Sequence, residues 1–567
     1  MLQTMRPFGD RVLGADIAPI GGLYDVVVIG GGISGIQIAR HAAGRGLRTI
    51  LLEKDDYGGG TSSATTKLLH GGLRYLEQYD FPVVAESIAE RRYLGIAAPH
   101  LVQPRSFLLT AFDWSEPKAP ILGAGVALYE SMAGHRNSKI PKDLHSRRFR
   151  WVKKDALLKQ VPWLQPEGLV GAWRHDDTLN VHPERLLLSI LGSYVQTGGT
   201  AVNHAEVTEA HRDENGRVDG VTAKDRLNGQ EHRIRGTVTI NAAGPWVEEV
   251  LGELSGKVGV KVRQAKGVHL LMKNLGNKDG VFVRGRNGRH IMVNPWEGRS
   301  LIGPTDTPTD GSADEAKATE EDVELILETI DSVAAKPLDR DAIMTTLVGV
   351  RPLVDDGSDT YRASRRFDIF DHSGANVPGI YTVTGGKWTT GRAMGARVID
   401  ILVEKEKLPP TRKFDSRYQP VAGAFGDFDT VGHAFESALS RFRNLPVPKA
   451  CRMHLARLYG TAHEAVLGLV AADPSLGERI SPDTDCLDIK AQIVYAVEAE
   501  AARTFRDILD RRLVLGTMGP VSEVAMGNVV DVVVGKLGWD RDEAKAEADA
   551  YLAEQEAVLA VVRQFQK

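Results

Sequence analysis

The stretch from Tyr24 to Glu53 admits few folds. Val26, Val27, Val28 and Ile29 form an apolar run of the kind a strand buried on both faces needs. Gly30, Gly32 and Gly35 follow at once in GxGxxG spacing. In that spacing the first glycine makes the tight turn, the second lets backbone approach a pyrophosphate, and the third permits close helix-to-strand packing. A helix from Ser34 to about Gly44 then aims free N–H groups and its positive dipole end, helped by Ile33 and Ser34, at the phosphates. Leu47 to Leu52 reads as the next strand and ends in Glu53, whose carboxylate can accept hydrogen bonds from ribose hydroxyls and repels a 2′-phosphate. NAD or FAD fits that acid better than NADP. A glycine triplet alone marks only turns; strand, helix and acid in register predict a dinucleotide site.

With 567 residues the chain is too long for one core, so about three to four domain-sized units are expected. Cys451 and Cys486 are its two cysteines, too few for a disulfide framework, a CxxC pair or a thiolate metal site, and a reducing cytoplasm suits such a chain. The net charge of −4 gives no field for nucleic acid. No run reaches the roughly 20 apolar residues that cross a bilayer, so membrane contact is expected to be peripheral. Residues 1–23 lack an apolar export core and read as a lead-in. Asp306 to Gly311 carries two acids of a calcium loop, but a proline and a misplaced glycine spoil the geometry. No histidine pair has metal-ligand spacing, so no metal site is expected.

Beyond Glu53 the βαβ regularity stops. Gly58 to Ser63 reads as a loop, and Thr66 to Tyr79 as helical around Gly71 and Gly72. Strand-like runs recur at Ser106–Ala111, Ala201–Thr208, Thr237–Ala242, Gly267–Met272, His290–Val293, Ser300–Gly303 and Ile380–Thr384. Gly379 to Gly391 reads as strand, glycine turn and a helix beginning near Thr389, a second helix N-terminus that can face a cofactor. The nucleotide domain is therefore expected to be discontinuous. After about Pro409 the pattern turns helical, with runs at Phe435–Phe442, Ala450–Ala472, Ile489–Leu515 and Val521–Phe565. In the third run Ile493, Val497, Ala501, Phe505, Ile508 and Leu509 form one apolar stripe, read as internal packing.

The segment Ser62 to Glu77, Ser-Ser-Ala-Thr-Thr-Lys-Leu-Leu-His-Gly-Gly-Leu-Arg-Tyr-Leu-Glu, closely resembles the flavin-contacting stretch of FAD-dependent glycerol-3-phosphate dehydrogenases. Further blocks resemble that family in order: Asn241 to Trp246, Lys266 to His269, Gly303 to Asp306, Gly349 to Leu353 and Gly385 to Thr390. The resemblance implies an α/β fold with a discontinuous FAD-binding, Rossmann-like domain of the glutathione-reductase or D-amino-acid-oxidase type, a mixed-sheet substrate domain and an all-helical C-terminal domain. Boundaries are placed at 24–105, 166–262 and 367–408 for the nucleotide domain, 106–165 and 263–366 for the substrate domain, and 409–567 for the helices. The cofactor residues it implies are Gly30, Gly32, Ile33, Ser34, Gly35, Glu53, Lys54, Thr61, Ser62, Ser63, Thr66, Lys67, His70, Gly71, Gly72, Ala243, Gly244, Trp246, Gly385, Gly386, Lys387, Trp388 and Thr389.

A glycerol 3-phosphate site must hold a dianionic phosphate, which forked guanidinium donors match best. Arg74, Arg351, Arg365 and Lys387 are the candidates, and Pro352 biases Arg351 towards an extended backbone. By resemblance Arg351 is the substrate arginine, and Arg74 and Tyr75 line the phosphate pocket. The family pattern has one arginine where Arg365 and Arg366 stand side by side, so that register is open. Oxidation of the central alcohol needs a proton taken from oxygen and a hydride passed to flavin. His269 ranks first for substrate contact and His70 resembles the histidine beside the flavin ring; the assignment of the base stays open between them. Arg351 can also stabilise the developing alkoxide.

His145 to Lys154 is the sharpest basic and aromatic cluster. It reads either as a solvated surface or as a patch for anionic headgroups, with Phe149 and Trp151 dipping inward. The resemblance implies oxidation of sn-glycerol 3-phosphate to dihydroxyacetone phosphate, electron transfer to membrane quinone, peripheral attachment to the inner face of the cell membrane, and a homodimer. An oxidase of the same substrate that uses oxygen, and an FAD enzyme of amino acids, are the rival readings.

Overall fold

The computed structural model describes residues 23–256, 259–354, 366–426, 428–483 and 485–566. Tyr24–Ile29 is a central strand, parallel to Thr49–Leu52 on one side and to Glu231–Asn241 on the other, with Val27 opposite Ile50 and Val26 opposite Val238. Its side chains alternate between two cores, as strand geometry requires. Val26 and Val28 join helices Ile33–Gly44, Pro183–Gln196 and Gly391–Lys405 in one cluster. Val27 and Ile29 join the meander Ala205–Arg212, Val218–Asp225 and helix Val247–Ser255 in another. Burial on both faces explains why the run is apolar without alternation. The sheet continues through Thr200–Val202 at one edge and Ile380–Gly385 then Phe367–Asp371 at the other.

A second sheet is mixed and has nine strands. Its long members are Val102–Phe112, Leu169–Asn180, Val262–Lys273 and Ile343–Val354. The strand Leu169–Asn180 pairs along its whole length with Val102–Phe112, so it lies in the substrate sheet and not in the nucleotide layer where the boundary at 166 put it. Its run Arg174, His175, Asp176, Asp177 lacks the β-branched residues that announce a strand.

The segment from Thr66 to Gly72 is irregular, pairing with a neighbouring strand only at the bridge between Leu68 and Leu179, and only Leu73–Gln78 winds, as a short 3-10 turn; Lys67 and Gly72, both at positive φ, interrupt the expected helix. The expected strand Ala201–Thr208 is two strands, broken where His204 takes φ +53°. Helix Gly391–Lys405 starts two residues later than Thr389, after a turn at Trp388–Thr390.

The C-terminal helices are shorter than their periodicity suggests. Ala450–Ala472 is two helices, Lys449–Tyr459 and His463–Ala472. Val521–Phe565 is also two, Glu523–Leu537 and Arg541–Arg563. In the third run the helix Ala491–Glu500 ends with Ala501 at φ +57°, and the chain resumes as a widened π turn, Asp507–Arg512. The apolar stripe therefore spans two elements, yet Ile493, Phe505, Ile508 and Leu509 are all buried in the C-terminal core. Leu271, Trp296 and Leu301 of the substrate sheet belong to the same cluster, so the helices pack directly on that sheet.

Candidate active site

Between the two sheets lies a cavity of about 2130 Å³, roomier than the few hundred to about 1,000 Å³ of a usual small-molecule pocket. Every sequence-expected cofactor residue lines it except Gly35, Gly71 and Gly72. Those three act by shape. A Cβ on Gly35 would stand 1.9 Å from the Gly30 carbonyl oxygen, and one on Gly71 would stand 1.9 Å from the Tyr129 hydroxyl. Gly72, at φ +82°, turns the chain beneath Tyr75.

At the nucleotide end Gly30 sits at φ +106°, and a Cβ there would lie 2.6 Å from the Ala242 carbonyl oxygen. Helix Ile33–Gly44 starts at Gly32 with no side-chain cap from that residue; the Ile33 N–H donates to Ser62 Oγ at 3.0 Å. Glu53 accepts from the Gly31 N–H at 2.6 Å and from the Asp55 N–H at 2.9 Å. Burial pushes its carboxyl up to about 7, partly opposed by those two N–H groups. Lys54 places its ammonium 2.8 Å from Asp314 and 4.4 Å from the Trp246 ring, which closes this end from both domains.

The flavin loop is tied down along its length. Thr61 donates to the Val350 carbonyl, Ser62 accepts at its carbonyl from Trp388 Nε1 at 3.2 Å, and Ser63 donates to the Gly60 carbonyl at 3.2 Å. Lys67 forms a buried ion pair with Glu184 at 2.6 Å. The Gly71 N–H donates to Asp177, which also holds the Arg91 guanidinium at 2.5 Å.

At the end of the cavity away from the glycine turn, residues distant in sequence converge. Arg351 and His269 stand on paired strands, where Arg351 is opposite Ala265. The Arg351 guanidinium lies over Gly267 and 3.6 Å from Asp306. His269 is buried, with Nε2 3.0 Å from the Thr66 hydroxyl. Burial first, then Arg351 and Lys67, push its imidazole down to about 3, so the ring is neutral at ordinary pH. The Lys387 ammonium stands 4.5 Å over the Tyr75 ring, and both residues line the cavity with His70. Arg74 lies in the 3-10 turn, but its side chain is outside the described residues, as is all of Arg365. Arg366 is exposed and pairs with Asp80 at 3.0 Å, away from the cavity wall.

Among the cavity-lining groups that sequence reasoning missed, three are instructive. Ala205, Val207 and Leu227 close the nucleotide end from the meander, where strand alternation alone carries no chemical mark. His175 and Asp177 stand behind the flavin loop; a histidine and two acids inside a buried strand was the available signal. The third group, Phe505 to Asp507, Asp510 and Arg511, comes from the C-terminal domain and had no motif.

Two family models match: FAD dependent oxidoreductase over residues 25–401, and the C-terminal domain of alpha-glycerophosphate oxidase over residues 417–544. The chain is 33% identical over 546 residues to a glycerol-3-phosphate dehydrogenase of Synechocystis sp., covering 93% of this chain and 95% of that protein. It is 35% identical over 544 residues to glycerol-3-phosphate dehydrogenase 2 of Mycobacterium tuberculosis, covering 94% and 88%. Among solved structures, the glycerol-3-phosphate dehydrogenase of Bacillus halodurans complexed with FAD superposes with a TM-score of 0.76 at 25% identity, covering 95% of this chain and 96% of that one.

Proposed function

This chain belongs to the family of FAD-dependent glycerol-3-phosphate dehydrogenases, and on that premise we propose that it oxidises sn-glycerol 3-phosphate to dihydroxyacetone phosphate and passes the electrons to a membrane quinone. The residues present suit FAD. The glycine turn can close against the Ala242 backbone and the helix can pack on the strand only because Gly30 and Gly35 lack side chains, which leaves the helix start free to face a pyrophosphate, and Glu53 offers the ribose a carboxylate already fixed by two backbone N–H groups. When bound, FAD supplies the acceptor for the hydride.

The observation that carries the reading is the convergence of Arg351, Lys387, Tyr75 and His269 on the same cavity as the glycine cradle. Arg351 and Lys387 are the cations for the phosphate and the developing alkoxide, and a guanidinium serves both through its fork. His269 holds its ring neutral, the form that can accept the hydroxyl proton at Nε2. A bound phosphate dianion offsets the Arg351 charge that disfavours the imidazolium, which raises the basicity of Nε2 when substrate arrives. His70, the other candidate for the base, lines the same cavity.

Quinone as acceptor is supported by the surface beside the cavity. On helix Ala119–Met132, Ile121 and Leu128 are 63% and 44% exposed while also lining the cavity with Leu76, Tyr79 and Phe81. The helix sits on Trp173, whose Nε1 donates to the Ala119 carbonyl at 2.8 Å. Phe149 and Trp151 pack on the same indole, at 5.7 and 5.2 Å between ring centroids, and Arg148, Arg150 and Lys153 are exposed next to them. An apolar helix flanked by cations suits attachment to an anionic bilayer surface. Among the described residues no helix is long and apolar enough to cross a membrane.

Anaerobic addition of sn-glycerol 3-phosphate to the FAD-loaded protein should bleach the flavin, whereas glycine or proline should not. Bleaching by an amino acid alone overturns the substrate reading. In air, peroxide formed faster than a quinone analogue is reduced marks the protein as an oxidase and overturns the acceptor.

A further inference from the structure

The C-terminal helical domain reaches the nucleotide site through one fully buried arginine. Arg512, 0% exposed, ends the π turn Asp507–Arg512 and forks onto the Asp56 carboxylate, with Nη2 2.9 Å from Oδ1. The same guanidinium donates to the Glu500 carbonyl at 2.7 and 3.2 Å. Asn203 links Asp56 to the next residue of that helix end, donating to Asp56 at 2.9 Å and to the Ala501 carbonyl at 3.0 Å. Asp56 lies three residues beyond Glu53, in a loop whose backbone is sewn to neighbouring segments. Glu53 N–H donates to Val202 O at 2.9 Å, His204 N–H to Asp55 O at 2.7 Å and Gly58 N–H to Gly31 O at 3.0 Å.

Two further bonds tie the same π turn to the nucleotide domain. Arg511 donates to the Gly59 carbonyl at 3.3 Å, and Asp507 takes His204 Nε2 at 2.9 Å. A π turn interrupts helix regularity and recurs at functional sites. Here it sends Arg511 to one part of the loop and Arg512 to another. A bidentate guanidinium fixes orientation as well as charge, so Asp56 is held in place as well as neutralised.

We infer that Arg512 is a positioning residue for FAD: through Asp56 it holds the loop from Glu53 to Gly60 in its binding shape, so that the C-terminal domain sets the affinity of a cofactor bound in the nucleotide domain. The inference rests on FAD binding and is independent of the substrate and of the electron acceptor. The alternative is that the Arg512–Asp56 pair only stabilises the domain contact. A domain contact without a positioning role lowers the melting temperature of the apoprotein and leaves FAD affinity alone.

The test measures the FAD Kd of the full-length apoprotein at 10 °C by quenching of flavin fluorescence, alongside apoprotein melting, for Arg512→Lys, Asp56→Asn and the double variant. Loss of the fork should weaken FAD about 10- to 100-fold in each single variant. The double variant should be no worse than the weaker single one, because the two residues act as one unit. A Kd within about twofold of the parent in folded Arg512→Lys overturns the inference, as do effects that multiply in the double variant. If Arg512→Lys does not fold, Asp56→Asn decides alone, and an unchanged Kd there overturns it.

Discussion

The Arg351 guanidinium occupies the space above Gly267 that any side chain would fill: a Cβ on Gly267 would stand 2.5 Å from Arg351 Nη2. The obstructing atom is the far end of a flexible side chain in a cavity wall, so the backbone need not move to accommodate a methyl group. Gly267→Ala should therefore displace the guanidinium at little cost in stability. The expected result is a kcat/KM lower by about 30- to 150-fold, the loss of one charge-assisted contact worth ~2–3 kcal/mol, with flavin content retained and Tm little changed. Arg351→Ala should lower kcat/KM at least as far. Steady-state kinetics with flavin absorbance check both, and an unaltered kcat/KM in Arg351→Ala removes that residue from the site.

Glu53 should give cofactor binding a pH dependence. Its carboxyl is raised to about 7 before FAD binds, chiefly by burial, while the ribose hydroxyls are best met by the ionised form. A proton must then leave on binding whenever the pH is below about 7, so the FAD Kd should rise as pH falls. Between pH 8 and pH 6 the expected weakening is about tenfold, one proton linked to one binding event. Titrating apoprotein with FAD at several pH values measures it. Glu53→Gln should bind FAD more weakly at pH 8 and show a flat profile.

How far the sequence carried varies by segment for physical reasons. The strand Tyr24–Ile29 with its glycines was legible because burial on both faces and close backbone approach each demand specific residue types. Leu169–Asn180 was not, because its buried polar residues serve the flavin loop: Asp177 holds the Gly71 N–H and Arg91. The C-terminal helices look longer in the sequence than they are for a different reason. Helical periodicity persists in Ile493, Phe505 and Ile508 through the break at Ala501, since both sides of the break face the same core. The Arg512–Asp56 fork, joining positions far apart in the chain, had no local pattern at all.

The exposed apolar helix beside the cavity predicts a separation of two activities. Ile121 and Leu128 are distant from Arg351 in sequence and lie on the outer rim, so the Ile121→Glu/Leu128→Glu variant should still reduce a water-soluble dye with glycerol 3-phosphate. Binding to vesicles containing anionic lipid should fall about 10-fold or more, since two carboxylates replace two side chains whose burial contributes roughly 1.5–3 kcal/mol each. Activity with a quinone embedded in those vesicles should fall in parallel. Unchanged vesicle binding would show that this helix is not the attachment surface.

Acid sensitivity should trace to histidines buried in the neutral form. His100 is fully buried, and burial, then the nearby Arg185, push its ring down to about 3. The unfolded chain takes up a proton on this residue near pH 6.5, whereas the folded chain does so only near 3. Between those values the unfolded state binds more protons, so stability is present above about pH 6.5 and is lost as the pH falls. One such histidine accounts for about 2 kcal/mol of loss between pH 7 and pH 5. The raised carboxyl of Glu53 works in the opposite direction, because its folded form binds the proton more readily. His100→Gln lies outside the cavity wall and removes only the first effect. Its urea midpoint, compared with that of the parent at both pH values, should decline less on acidification, and an identical decline would place the acid-labile group elsewhere.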